Sequence, residues 1–175
     1  DRPGSLFTVL DILQERKINL TKIKSFGRSG VDVAFFMSLQ GHQRELPFNN
    51  ALTRLSDEGV KVKMLGSYPR SLYKAPDSSS WDMEYTIEQL KNDILNGVHD
   101  PDKITVAFTL VDKVGALRHA LEPFARREIN LTEIDSRPTG RLGEYIFYLS
   151  FVNGVEHSKH ALDELEQHCE KVVLL

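Results

Sequence analysis

The chain has 175 residues, enough for one ordinary domain or two small ones, and its 41% hydrophobic and 27% charged residues are the mix of a folded, soluble protein. Its formal net charge of -3, with acids and bases interspersed, leaves no basic stripe for phosphates, so nucleic acid is not an expected partner. No apolar run reaches the length of a membrane span, no secretory signal heads the chain, and the single Cys169 cannot close an internal disulfide, so a reducing cytoplasm is expected.

In chain order, Asp1–Gly4 reads as a tight turn, and Leu6 and Leu10 then recur at helical spacing. A strand follows through Ile18-Asn19-Leu20-Thr21 to Ser25. Phe35-Phe36-Met37-Ser38 marks the next strand, and Ala51, Leu52 and Leu55 mark a second helix. Ser71–Ser80, with Pro76 and three consecutive serines, has loop composition. Ile87, Leu90 and Ile94 then give an amphipathic helix ending near Gly97, with Trp81 its expected anchor on the core.

The pattern then starts again. Ile104–Leu110 alternates as a strand, Asp112–Gly115 is a turn, and Leu117, Leu121 and Phe124 continue as a helix in which Pro123 predicts a bend. Ile129–Ile134 and Tyr145–Phe151 are strands; Leu162, Leu165 and Cys169 make a helix, and Lys171–Leu175 closes on a strand.

This recurrence is an internal repeat. Asp1–Ser25 laid over Asp112–Ser136, a shift of 111, matches at 11 of 25 positions, including the whole run Ile-Asn-Leu-Thr. Phe35–Ser38 echoes Phe147–Ser150, and Ala51, Leu52 and Leu55 echo Ala161, Leu162 and Leu165. The expectation is an α+β protein: two βαββαβ units of ferredoxin-like type, packed side by side as an intramolecular pseudo-dimer. Residues 1–70 make the first unit, lacking its opening strand, 71–102 a linker with one helix, and 103–175 the second unit. A chain opening on Asp1 inside a turn reads as part of a longer protein.

The second copy reads Gly115-Ala116-Leu117, Ile129-Asn130-Leu131-Thr132, Asp135-Ser136-Arg137-Pro138 and Glu144-Tyr145. This succession resembles the ACT domain of prephenate dehydratases, with Asp135 where that family usually has Glu. The first copy offers Gly4-Ser5-Leu6 and the same Asn19-Leu20-Thr21 strand, but reads Lys24-Ser25-Phe26-Gly27 where the family has an Arg-Pro pair. Leu65–Arg70 is similar to the closing segment of the same dehydratases.

The resemblance implies phenylalanine, or a related aromatic amino acid, bound where two units meet, and feedback control of a separate catalytic domain, a lyase of phenylalanine biosynthesis. It also implies that Gly4, Ser5 and Leu6 face Ser136, Arg137 and Pro138, while Gly115, Ala116 and Leu117 face Ser25 and Phe26. The Arg137 cleft is then the better site, and in the other Phe26 either stacks on a bound ring or, the favoured reading, fills the pocket and excludes ligand. The residues themselves suit such a ligand. A turn glycine admits close approach of a ligand, and helix N-termini favour a carboxylate. Asn19 and Asn130 offer acceptors to an ammonium group, and Leu6 and Leu117 an apolar wall.

Leu20, Thr21, Leu131 and Thr132 complete the candidate set. Each member also has a plainer reading: Gly4 and Gly115 as turns, the asparagines as local caps, Arg137 as a surface charge. No nucleophile is paired with a base, no phosphate loop occurs, and the Thr-Arg-Phe motif of the dehydratase catalytic domain is absent, so the segment reads as non-catalytic. No cofactor is implied. His157, His160 and Cys169 lack the spacing of a metal site. The alternatives are the regulatory ACT region of an aromatic amino acid hydroxylase, or a dimerisation scaffold without ligand; a homodimer of whole chains remains open.

Overall fold

The computed structural model describes residues 4–27, 33–68, 88, 103–139, 141–152 and 154–175. The linker helix around Ile87–Ile94 and the anchor Trp81 lie outside them. In chain order the elements are α1 (Ser5–Glu15), β1 (Leu20–Phe26), β2 (Ala34–Leu39), α2 (Leu46–Asp57), β3 (Lys103–Val111), α3 (Ala116–Arg126), β4 (Leu131–Pro138), β5 (Glu144–Val152), α4 (Gly154–His168) and β6 (Val172–Leu174).

The strands form one six-stranded sheet, β2-β1-β4-β5-β3-β6, with every pairing antiparallel. The second unit supplies β4-β5-β3-β6, its opening strand β3 held between the third and the last. That is the ferredoxin-like order the repeat predicts. The first unit continues the same sheet with β1 and β2.

Residues 60–68 form no strand, although the repeat predicts one there. In the second unit the closing strand β6 bonds only to β3. Among the described residues no strand lies beside Val62, Met64 and Leu65, which stand exposed.

Both copies use the same local devices. Gly4 and Gly115, before α1 and α3, sit at φ 84° and 81°, the left-handed region that favours glycine. Each helix then ends in a paired carbonyl closure: the Ile18 N–H donates to Leu13 O at 2.9 Å and that of Ile129 to Phe124 O at 3.0 Å, with Lys17 and Glu128 both at φ 55°. α3 runs through Pro123 as one continuous element. The register of β1 shifts between Leu20 and Lys22, and that of β4 between Leu131 and Glu133. The extra residue lets Leu20 and Ile23, three apart, both face the core, as do Leu131 and Ile134.

One face of the sheet meets the helices. Leu6 and Leu10 of α1, Leu117, Leu121 and Phe124 of α3, and Leu165 of α4 pack with Val106, Phe108, Leu149 and Phe151. Ile12, Leu13, Phe48 and Leu55 extend that layer over the first unit.

Candidate functional site

The two units meet along β1 and β4, which register at one residue pair, Lys24 with Asp135. These two residues are 111 apart, so each faces its own counterpart and a pseudo-two-fold axis passes between them. On either side a serine stitches the strands. Ser136 Oγ accepts from the Ile23 N–H at 2.9 Å and donates to Ile23 O at 3.1 Å. Ser25 Oγ does the same with Ile134, at 2.9 and 3.1 Å. On the helix layer α1 crosses α3, where Arg118 lies 4.6 Å from the ring centre of Phe7, again its own counterpart, and Arg118 Nε donates to Asp11 at 3.0 Å.

This symmetry creates two clefts. One is lined by Gly115, Ala116, Leu117, Arg118 and Phe147 of the second unit, and by Leu10, Gln14, Ile18, Asn19 and Leu20 of the first. The other is lined by Gly4, Ser5, Leu6, Phe7 and Phe35 of the first unit, and by Leu121, Ala125, Ile129, Asn130 and Leu131 of the second. Each residue of one set has its repeat counterpart in the other. Both are shallow and narrow, each leaving about 30 Å³ for a water-sized sphere.

In each cleft a glycine turn and helix N-terminus face the Ile-Asn-Leu entry of the other unit's strand. In the Gly115 cleft the Asn19 amide donates to the Asp112 carboxylate at 2.6 Å, with Lys113 and Arg118 also on the lining. A negative group thus stands beside a helix N-terminus and an apolar floor of Leu10, Leu117 and Phe147, the polarity pattern a zwitterion with an apolar side chain requires. The counterpart of Asp112 is Asp1, outside the described residues.

The structure therefore brings together ten of the expected residues: Gly4, Ser5, Leu6, Asn130 and Leu131 in one cleft, Gly115, Ala116, Leu117, Asn19 and Leu20 in the other. It separates the rest. Thr21 and Thr132 occupy the strand irregularities; the Thr21 hydroxyl donates to Ser38 O at 3.2 Å. Ser25 and Ser136 are spent on the seam. Phe26 stands 52% exposed at the end of β1 with Lys24 over its ring, and fills neither cleft. Arg137 lies over the ring of Tyr148, 5.7 Å away, beside Asp135, and Pro138 ends β4 opposite Tyr145. Gly4 therefore faces Asn130 and not Arg137. The cause is the antiparallel seam, which carries residues 136–138 past the axis and away from the turn.

Sequence reasoning missed Gln14, Ala125, Phe35 and Phe147 as lining residues. The repeat alignment contained the signal, since Gln14 and Ala125 occupy one aligned position with unlike side chains. The described residues hold no cluster of three metal-ligating side chains. Cys169 is half-buried, its thiol pushed up to about 12 by desolvation, which suits a packing residue and not a reactive one. Among the described residues no helix is long and apolar enough to cross a membrane.

The family model of the ACT domain matches residues 104–170. The second unit matches that family over nearly its whole length. A prephenate dehydratase of Methanocaldococcus jannaschii is 49% identical over 75 residues, 42% of this chain and 28% of that protein. A bifunctional chorismate mutase/prephenate dehydratase of Aquifex aeolicus is 39% identical over 74 residues, 41% of this chain and 20% of its own length. The matched region thus spans about a quarter of these relatives. An aspartate kinase structure from Synechocystis matches 99% of this chain and 26% of its own, at TM-score 0.57 and 16% identity, a likeness of fold. The chain as a whole is of α+β fold, and its ACT-matching region is similar to prephenate dehydratases.

Proposed function

We propose that this tandem pair, residues 1–70 and 103–175 joined by the linker 71–102, is an allosteric sensor. It binds phenylalanine, or a related aromatic amino acid, in the clefts between its units and regulates a prephenate dehydratase domain of a longer protein. The observation that carries this reading is the pair of symmetry-related clefts. Each sets a left-handed glycine turn and a helix N-terminus against an asparagine and an apolar floor, the complement of an amino acid's carboxylate, ammonium group and ring. A cleft walled by two units also changes shape when the units shift, which is how occupancy there would reach a partner domain.

Isothermal titration of L-phenylalanine into the chain is expected to show saturable binding. Gly4→Val, which forces a branched residue into the left-handed turn, should weaken it at least ten-fold. No heat with phenylalanine or tyrosine would refute the reading. The same chain should form no phenylpyruvate from prephenate, and measurable turnover would refute its non-catalytic half.

A further inference from the structure

We propose that Gln14 plugs the Gly115 cleft, so that the chain takes one amino-acid ligand, in the Gly4 cleft, and not two. The inference rests on the reading of the clefts as amino-acid sites and adds an occupancy to it.

The two clefts differ at one aligned position in the strip of helix that faces the turn glycine. There the first unit has Gln14 and the second has Ala125. A Cβ placed on Gly115 would stand 2.7 Å from both Cδ and Oε1 of Gln14 and 3.1 Å from its Cγ. The Gln14 side chain therefore lies flat across the bare Cα of the turn, taking the space that the glycine leaves open. A Cβ placed on Gly4, by contrast, meets nothing within 4 Å among the described residues. The methyl of Ala125 is too short to lie across Gly4 as Gln14 lies across Gly115.

Gln14 is also a committed occupant. Its Oε1 is wholly shielded from solvent and has no hydrogen-bond partner among the described residues. The amide is thus packed against the turn glycine with its oxygen shielded from solvent. Beside it the Asn19 amide is already engaged with Asp112. A ligand entering this cleft must displace Gln14 from the turn, whereas the aligned Ala125 presents no such side chain in the Gly4 cleft.

The test is the stoichiometry of phenylalanine binding, by calorimetry and by crystallography of the saturated chain. Wild type is expected to bind one equivalent and Gln14→Ala two, the first with unchanged affinity. Ala125→Gln, which moves the plug to the other cleft, should weaken binding at least ten-fold. Circular dichroism checks that each variant is folded, and should Ala125→Gln fail to fold, the Gln14→Ala result decides alone. Two equivalent sites in wild type, or a single site persisting in Gln14→Ala, would overturn the proposal. Absence of binding in every variant would instead refute the amino-acid reading itself, and the plug with it.

Discussion

At the scale of single residues, Tyr148 shows how a side chain can be folded at a cost. It is 6% exposed on the sheet face away from the helices, and its hydroxyl has no hydrogen-bond partner among the described residues. Burial pushes its pKa from 10.0 up to about 12, against the opposing pull of Arg137 over its ring. The folded state thus holds the phenolic proton more tightly than the unfolded state does. That stabilisation is present in full below pH 10 and is lost as pH rises through 12. Stability should fall over this window by on the order of 2 kcal/mol from this residue. Tyr148→Phe should be no less stable than wild type at pH 7 and should flatten the alkaline limb, as read by urea midpoints at a series of pH values. A variant as alkali-sensitive as wild type would show that another group titrates there.

At the scale of elements, the joint between β1 and β4 rests on two hydroxyls. Because the strands register at a single pair, Ser136 and Ser25 supply the donors and acceptors that a continuous ladder would otherwise provide. Ser136→Ala leaves the Ile23 N–H and C=O without partners in a dry interior, which should cost about 1–3 kcal/mol. Ser25→Ala should cost less, since Ser25 is only half-buried while Ser136 is 4% exposed. Denaturant midpoints of the two variants give the comparison; equal and negligible losses would mean that water replaces both hydroxyls. The family motif containing Ser136 is thus used here for pairing of units. Its Arg137 lies over the ring of Tyr148 and lines neither cleft. Strand alternation assigns faces, but the face toward the ligand depends on where the neighbouring unit's strand lies.

At the scale of the whole molecule, the pseudo-two-fold axis brings unlike residues together where a true homodimer would set each residue against itself. Lys24 faces Asp135 and Phe7 faces Arg118, each pair separated by 111 positions. Self-pairing would place Lys against Lys or Arg against Arg. Duplication in one chain lets the two copies diverge to a charged pair and a cation over a ring. Arg118, 20% exposed and bonded also to Asp11 and Glu122, ties α1 to α3. A double-mutant cycle on Phe7→Ala and Arg118→Ala should return a coupling of about 0.5–1 kcal/mol. Simple additivity would mean that the helices are held together by their apolar contacts alone.

The sequence by itself determined the repeat, and with it the element order, the two turn glycines and the helix endings. These depend on local backbone chemistry: left-handed glycines, apolar spacing of 3.6 residues in helices, and alternation in strands. The turns and strand entries it singled out, Gly4, Asn130, Gly115 and Asn19, all line a cleft between the units. Only the tertiary structure decided which turn meets which strand. It likewise showed that Ser25 and Ser136 join strands and that Phe26 stays in solvent, because each outcome depends on a seam between residues about 110 positions apart. The absent strand at 60–68 has the same origin, a backbone segment being a strand only when another lies beside it. The unlike pair Gln14 and Ala125 was visible in the alignment, but only the fold aims both at a turn glycine and gives the difference a consequence.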